Sequence, residues 1–334
     1  MYLDINKLPK KFNEFNYFEK REKGCVLYSY SNKSNMTIVC ELDDFEIDND
    51  FCVDNKALEM LKVLNPINNV NIKNNSFIVE SKKGKYKSKL IETNNFLKPK
   101  MIFENNFEID LNRLKTASKF CSKNDKKPIL TGVNANSNGD INATDSFVAY
   151  RYVNQKNVGK SCYVITIPSE FIDFISKTTN DSEVTINFNT NTCMIQIDNI
   201  KYINRLLEGN YPDLSKIFNA RLNSNQIEFD INELKEKVAI AKNIGSNKDM
   251  PIYLTFNNDT FIANGSNDFA SELSNVADYK DFDYKFTISL NYLNEVLNCL
   301  TDNEKVKLGY VESVRPIFIE ENGNEFLILP VKKD

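Results

Sequence analysis

The residue types best suited to catalysis are the ones this chain has least of. Its 334 residues include no histidine. That excludes Ser-His-Asp and Cys-His nucleophiles, the HExxH zinc site and an imidazole proton shuttle near neutral pH. Ten glycines, none arranged as GxGxxG or GxxxxGK[ST], leave no loop to cradle a phosphate. Cysteines stand at 25, 40, 52, 121, 162, 193 and 299, odd in number and never as CxxC. They read as reduced thiols packed like small hydrophobes, not as a disulfide frame or a metal cage. An enzyme would have to work with carboxylates or a lysine, Asp145 and Asp213 first among them. Both lie in strings where a turn or a helix cap is the simpler role. Neither a catalytic group nor a cofactor or metal is expected.

The chemistry left is charge. Lys and Arg total 42 against 46 Asp and Glu, a net of -4, which rules out holding nucleic acid by bulk charge but not by a local basic face. Such a face needs elements to present it. One hexamer recurs three times: LDINKL from Leu3, IDLNRL from Ile109 and FDINEL from Phe229. Each is apolar, Asp, apolar, Asn, charged, Leu, at domain-sized spacing. Each predicts the start of an amphipathic helix, with stripes Ile5, Leu8, Phe12, Phe15; Leu111, Leu114, Ser118, Cys121; and Ile231, Leu234, Val238, Ala241. These step by i, i+3, i+7 and i+10, one face of a 3.6-residue helix. The Asp or Asn before each helix caps its free N–H groups.

A second helical pattern follows each copy, at DNKALEMLKVL from Asp54, PSEFIDFISK from Pro168 and SLNYLNEVLNCL from Ser289. Nearly everything else reads as short, β-branched strands such as NMTIVCEL, EVTINFNT and EFLILPV, many alternating as an antiparallel sheet with one wet face does. The fold class is therefore α+β: three similar domains, 1–99, 100–221 and 222–334, each with two helices packed on antiparallel sheet. Linkers are placed near Lys98–Lys100 and Ala220–Asn225.

Positive charge follows the first helices. Leu3–Lys23, Ile109–Lys127 and Phe229–Lys248 hold 16 basic and 9 acidic residues, a net of +7, which leaves -11 on the rest. The lysines avoid the apolar stripes. A polyanion-facing surface results, made of Lys7, Lys10, Lys11, Lys20, Arg21, Lys23, Lys119, Lys123, Lys126, Lys242 and Lys248. Lysines on helices give affinity for phosphates without base preference, so a duplex would be held non-specifically. The second helices, near neutral, do not share this bias.

Several strings resemble the beta sliding clamp (beta subunit) family of bacterial DNA polymerase III. RLLEGNYPDLSKI from Arg205 is similar to its strand-to-linker signature, and KKPILTGV from Lys126 to its second-domain strand. NATDSFVAYRY from Asn142 resembles its ATDSHRLA stretch, and RPIFIEENGNEFLILPVKK from Arg315 its closing hairpin and tail. The likeness covers the second and third domains; the first matches in layout alone. It implies a DNA-clamp fold and a head-to-tail homodimer closing a ring around duplex DNA, a non-catalytic processivity factor for polymerase. Tyr86 and Leu273 are the expected dimer contacts.

The resemblance also implies a peptide pocket for the polymerase alpha subunit, the clamp loader and repair proteins. Carried over, it comprises Lys127, Leu130, Thr144, Ser146, Phe147, Ala149, Ile244, Ile252, Leu327, Leu329, Pro330 and Val331. The chain departs from the family in having Phe147, Val148 and Ala149 for His, Arg and Leu, Leu329 for the frequent Met, and two residues after Lys332. No signal peptide or membrane span is read from the sequence, and a cytoplasmic protein is expected. Two alternatives stay open: a clamp-like scaffold or decoy ring of a phage or mobile element, and a carboxylate or lysine enzyme.

Overall fold

The computed structural model describes residues 14–31, 34–92, 96, 98–124, 126–154, 163–244, 252–258, 260–264, 268–272, 283–301 and 305–331. The first hexamer, Lys7, Lys10, Lys11, Lys248 and Leu273 lie outside them, as does the side chain of Ile244. The chain opens with β1 (Phe15–Lys20), β2 (Cys25–Ser31), β3 (Met36–Leu42) and β4 (Phe51–Asp54), then α1 (Asn55–Leu64), β5 (Asn69–Lys73), β6 (Ser76–Ser81) and β7 (Gly84–Lys89). Next come β8 (Asn105–Asp110), α2 (Leu111–Ser118), a 3-10 turn at Pro128–Thr131, β9 (Gly132–Asn136), β10 (Ile141–Thr144), β11 (Val148–Tyr152) and β12 (Val164–Pro168). After α3 (Ser169–Ile175) follow β13 (Glu183–Phe188), β14 (Thr192–Ile197), β15 (Ile200–Arg205) and α4 (Ser215–Asn219). The last stretch holds β16 (Asn225–Asp230), α5 (Ile231–Ile244), β17 (Tyr253–Asn257), β18 (Thr260–Asn264), β19 (Asp268–Glu272) and β20 (Lys285–Ser289). It closes with α6 (Leu290–Leu297), β21 (Lys305–Tyr310), β22 (Ile317–Glu321) and β23 (Asn324–Ile328).

In its two described copies the recurring hexamer is a strand-to-helix junction. β8 ends at Asp110 and β16 at Asp230, and a helix starts at the next residue. Asp230 shows why: its Oδ1 accepts the N–H of Glu233 at 2.8 Å, filling a first-turn donor that has no partner inside the helix. Asp54 does the same for Ala57 at 2.7 Å before α1. The stripes of α2 and α5 are buried at every position, from Leu111 to Cys121 and from Ile231 to Ala241.

The last residue of the first stripe, Phe15, is corrected; Ile5, Leu8 and Phe12 lie outside the described residues. Phe15 lies in β1, paired with Tyr30, and its strand runs on to Lys20 opposite Cys25. Tyr17 and Phe18 are strand formers whose rings pack against Tyr28 and Phe51. Lys20, Arg21 and Lys23 consequently sit at a strand end and in the β1–β2 turn, not on a helical face. Gly24 makes that turn possible: its φ is +68°, and a Cβ there would meet the Leu42 carbonyl oxygen at 2.2 Å. The Ala220–Asn225 linker is likewise a 3-10 turn at Ala220–Asn223 leading almost directly into β16.

The chain gathers into two compact units, Met1–Asn112 with Glu170–Glu208 and Arg113–Ser169 with Gly209–Asp334. Each contains an eight-stranded antiparallel sheet that is composite in sequence. In the first unit the order is β4-β1-β2-β3-β15-β14-β13-β8, beside the three-stranded β5-β6-β7. The join is β3 with β15, Cys40 opposite Ile200. In the second unit the order is β12-β9-β10-β11-β23-β22-β21-β16, beside β19-β18-β17-β20. Here the join is β11 with β23, Val148 opposite Ile328. Stacked rings fill both cores: Phe18, Phe51 and Phe77 in the first, Phe256 and Phe286 in the second. Among the described residues no helix is long and apolar enough to cross a membrane.

Candidate functional site

The β11–β23 join creates a floor. Thr144 on β10 lies opposite Ala149 on β11, Ala149 opposite Leu327 on β23, and Leu327 opposite Phe318 on β22. Directly opposed residues share a face of the sheet, so these four form a row across four strands. Ala149, Leu327 and Phe318 are buried in one cluster with Leu214 and Phe218. Above the floor is a cavity of about 450 Å³. One wall is α4 and the segment before it, with Asn210, Pro212, Leu214, Ile217 and Phe218; the other is the 3-10 turn, with Ile129 and Leu130.

The rim is the β10–β11 turn, built by side-chain oxygens. Asp145 Oδ1 accepts the N–H groups of Phe147 at 2.8 Å and Val148 at 2.9 Å. Thr144 Oγ1 accepts from Ser146 N at 3.1 Å and donates to the Val148 carbonyl at 2.8 Å. These bonds hold Ser146 at φ +86°, a conformation that side-chain-bearing residues rarely adopt. They push Phe147 outward, 60% exposed, where its ring stacks on Tyr292 at 6.5 Å and 17°. The Tyr292 hydroxyl donates to Asp145 Oδ2 at 2.7 Å; burial first, then that carboxylate, raises the phenol well above its ordinary pKa. Leu329 N donates to the Phe147 carbonyl at 2.8 Å and ties the C-terminal segment to the turn.

On the other side of Phe147 lies a second cavity of about 670 Å³, whose lining includes Lys119, Lys123, Lys126 and Lys127 with Asp145, Tyr292 and Glu295. Burial raises the Glu295 carboxyl above its usual range; Lys123 and Lys119 pull it back down and Asp145 raises it. Lys119 Nζ reaches Cys299 Sγ at 3.5 Å.

Of the twelve residues expected in a pocket, eight line the apolar cavity: Lys127, Leu130, Thr144, Ser146, Phe147, Ala149, Leu327 and Leu329. Ile252, Pro330 and Val331 do not. The Ile252 carbonyl accepts Leu290 N, and Val331 N donates to Thr287 O, so both are engaged along β20 and its helix. The α4 wall was missed because YPDLSKI was taken for linker, although Leu214, Ile217 and Phe218 have the i, i+3, i+4 spacing of a short helix.

The basic residues divide. Lys119, Lys123 and Lys126 converge on the second cavity, while Lys242 is exposed on α5. Lys20 Nζ donates to the Asp48 carbonyl at 3.0 Å, and Arg21 pairs with Glu19 at 2.9 Å. With Glu22 and Glu46 beside them, that corner is mixed in charge. Tyr86 lies on β7, which pairs only with β6 among the described residues. Asp145 is the turn builder already described. Asp213 accepts Ser215 N at 2.9 Å at the start of α4, and the Ser215 hydrogen bonds hold its carboxyl below the usual range.

The description "DNA polymerase III beta subunit, central domain" belongs to a family model that matches residues 106–213. Beta sliding clamps of Staphylococcus aureus and Staphylococcus epidermidis are each 26% identical over 227 residues, 63% of this chain and 59% of theirs. The match thus spans 59% of the length of those relatives. The solved DNA polymerase sliding clamp of Bacillus subtilis superposes with a TM-score of 0.80 at 17% identity, covering 99% of this chain and 96% of that one. The beta subunit from the DNA polymerase of Streptococcus pyogenes gives 0.78 at 20%, covering 99% and 93%. At those identities the superpositions speak for the fold, and the sequence match over the central strands and the turn at Asp145 carries the kinship. The central part of the chain is thus similar to the central domain of the bacterial DNA polymerase III beta subunit.

Proposed function

We propose that this protein is a DNA sliding clamp: a non-catalytic ring that encircles duplex DNA and tethers polymerase, clamp loader and repair proteins in the cytoplasm. The observation that carries the reading is the apolar cavity beside Phe147, open at the surface and floored by buried aliphatic side chains. Such a groove takes two apolar anchors of a short linear peptide, and buried anchors dominate the energy of such interfaces.

The ring follows from the sheet edges. Among the described residues, β7, GKYKSK, and β19, DFASE, each have one neighbour in their sheets, and the charges of their sequences are opposite. An edge strand exposes unpaired backbone groups and is a template for another chain. Pairing β7 of one copy with β19 of the next, with Tyr86 and Leu273 at the contact, closes a homodimer of three-domain subunits, 1–99, 100–221 and 222–334. Lys7, Lys10, Lys11, Lys20, Arg21, Lys23, Lys242 and Lys248 then supply non-specific phosphate contacts.

Light scattering at micromolar concentration tests the ring: the expected mass is twice 38.5 kDa, and a monomer refutes closure. Loaded on a nicked circle, the protein is expected to persist until the circle is linearised. A sequence-specific footprint on linear duplex refutes the topological reading.

A further inference from the structure

The apolar floor has a charged neighbour on the same face of the sheet. Two residues along each strand from Ala149, Leu327 and Phe318 stand Arg151, Glu325 and Glu320, opposed in the same register. Glu325 is the centre of this second row. Its side chain is 9% exposed, and its Oε2 accepts from Arg151 Nε at 2.5 Å. Its Oε1 accepts from Arg221, which belongs to the 3-10 turn directly after α4 and also lies 3.3 Å from Glu320. The Arg151 guanidinium lies over the Phe218 ring, 4.6 Å from its centroid. The contacts close a circuit from β11 to β23, to the end of α4, and back through Phe218 to β11.

Five residues are too few for α4 to hold its place alone. Phe218 packs it onto Ala149, Phe318 and Leu327, but apolar contact has no preferred direction. Charge-assisted hydrogen bonds do. Glu320 and Glu325, like charges directly opposed, would also repel without Arg221 between them. The helix held in this way presents Ile217 to the apolar cavity.

We infer that Glu325 is a positioning residue for the peptide cavity. By joining Arg151 to Arg221 it fixes the α4 wall at the distance from the floor at which an apolar anchor is gripped. The inference rests on the peptide-binding reading above and assigns a residue that does not itself line the cavity.

Fluorescence polarisation with one apolar-anchored peptide tests it on wild type, Glu325→Ala, Arg221→Ala and the double variant, each with its thermal midpoint measured. Each single variant is expected to bind about tenfold more weakly. The double variant is expected to bind no more weakly than the worse single one, because both changes break the same bridge. Amide exchange without peptide supplies a second readout. Phe218 N, which donates to the Leu214 carbonyl at 3.1 Å, is expected to exchange faster in the variants, while the β11 and β23 amides keep their rates. If Glu325→Ala does not fold, Arg221→Ala carries both measurements, since that side chain is 26% exposed. Wild-type affinity in the single variants, losses that add in the double variant, or exchange that quickens equally along β11 and β23 overturns the positioning role and leaves the pocket standing. No binding by the wild type overturns the peptide reading and the inference with it.

Discussion

Ala149 lies in the cavity floor between Thr144 and Leu327, 4% exposed, where the family has leucine. A floor of alanine leaves room for a larger anchor. Phenylalanine has three more side-chain carbons than leucine, and burying apolar carbon yields about 0.8 kcal/mol per methylene, so the ceiling on the preference is about 2.4 kcal/mol. The cavity is open on one side, and about half of that is expected, a roughly five- to tenfold preference for a Phe over a Leu anchor.

Ala149→Leu puts the same three carbons into the floor. Because the side chain enters a cavity of about 450 Å³, the overpacking cost of roughly 1–3 kcal/mol seen in filled cores is not expected. The thermal midpoint should hold. Fluorescence polarisation with paired peptides differing only at the anchor, on both proteins, gives the answer. The wild type is expected to prefer Phe, and the variant to rank the pair within about twofold or to favour Leu. If both proteins rank the peptides identically, Ala149 does not shape the anchor site. A large fall in the midpoint would mean that the floor has no free volume.

Three further outcomes are expected. Leu329→Asp places a charge on the apolar rim and weakens an apolar-anchored peptide by more than about tenfold, measured by the same polarisation assay. Asp230→Ala removes the side-chain acceptor for Glu233 N at the start of α5 and costs about 1 kcal/mol, seen as a drop of a few degrees in the thermal midpoint. Glu295→Gln stabilises the protein at pH 7 and not below pH 4, compared by urea midpoints. The Glu295 carboxyl is raised above its ordinary 4.5, so folding favours its protonated form. The penalty is absent below the unfolded value and grows as pH rises through the folded one.

The local elements were legible because their signals are local. Alternating β-branched runs found β3, β6, β13 and β23, and the i, i+3, i+7 stripes of α2 and α5 are buried as read. Phe15 was misread because two aromatics three apart satisfy a helical stripe as well as a strand end, and only its pairing with Tyr30 decides. What no local pattern carries is which strands join. Cys40 meets Ile200 and Ala149 meets Leu327 across about half of the chain, and nothing near either residue encodes the partner. The cavity floor depends on the second of these joins, and every pocket residue expected from sequence came from the resemblance. The α4 wall, five residues long, offers a single i, i+3, i+4 set, Leu214, Ile217 and Phe218, too little periodicity to predict a helix.

The departures from the family string, Phe147, Val148, Ala149 and Leu329, all fall in the lining of the apolar cavity. Thr144, Asp145 and Ser146 keep the family's residues, and their oxygens and backbone make every hydrogen bond that shapes the turn. Phe147 and Ala149 differ, and one is the exposed ring while the other is the floor of the cavity. Val148, where the family has arginine, is 2% exposed opposite Ile328, so the charge gives way to a core pair across the β11–β23 join. A buried unpaired guanidinium there would weaken the join that creates the floor. On the peptide-binding reading proposed above, turn and join are held fixed while the cavity lining is rebuilt, and a different anchor preference is the expected outcome.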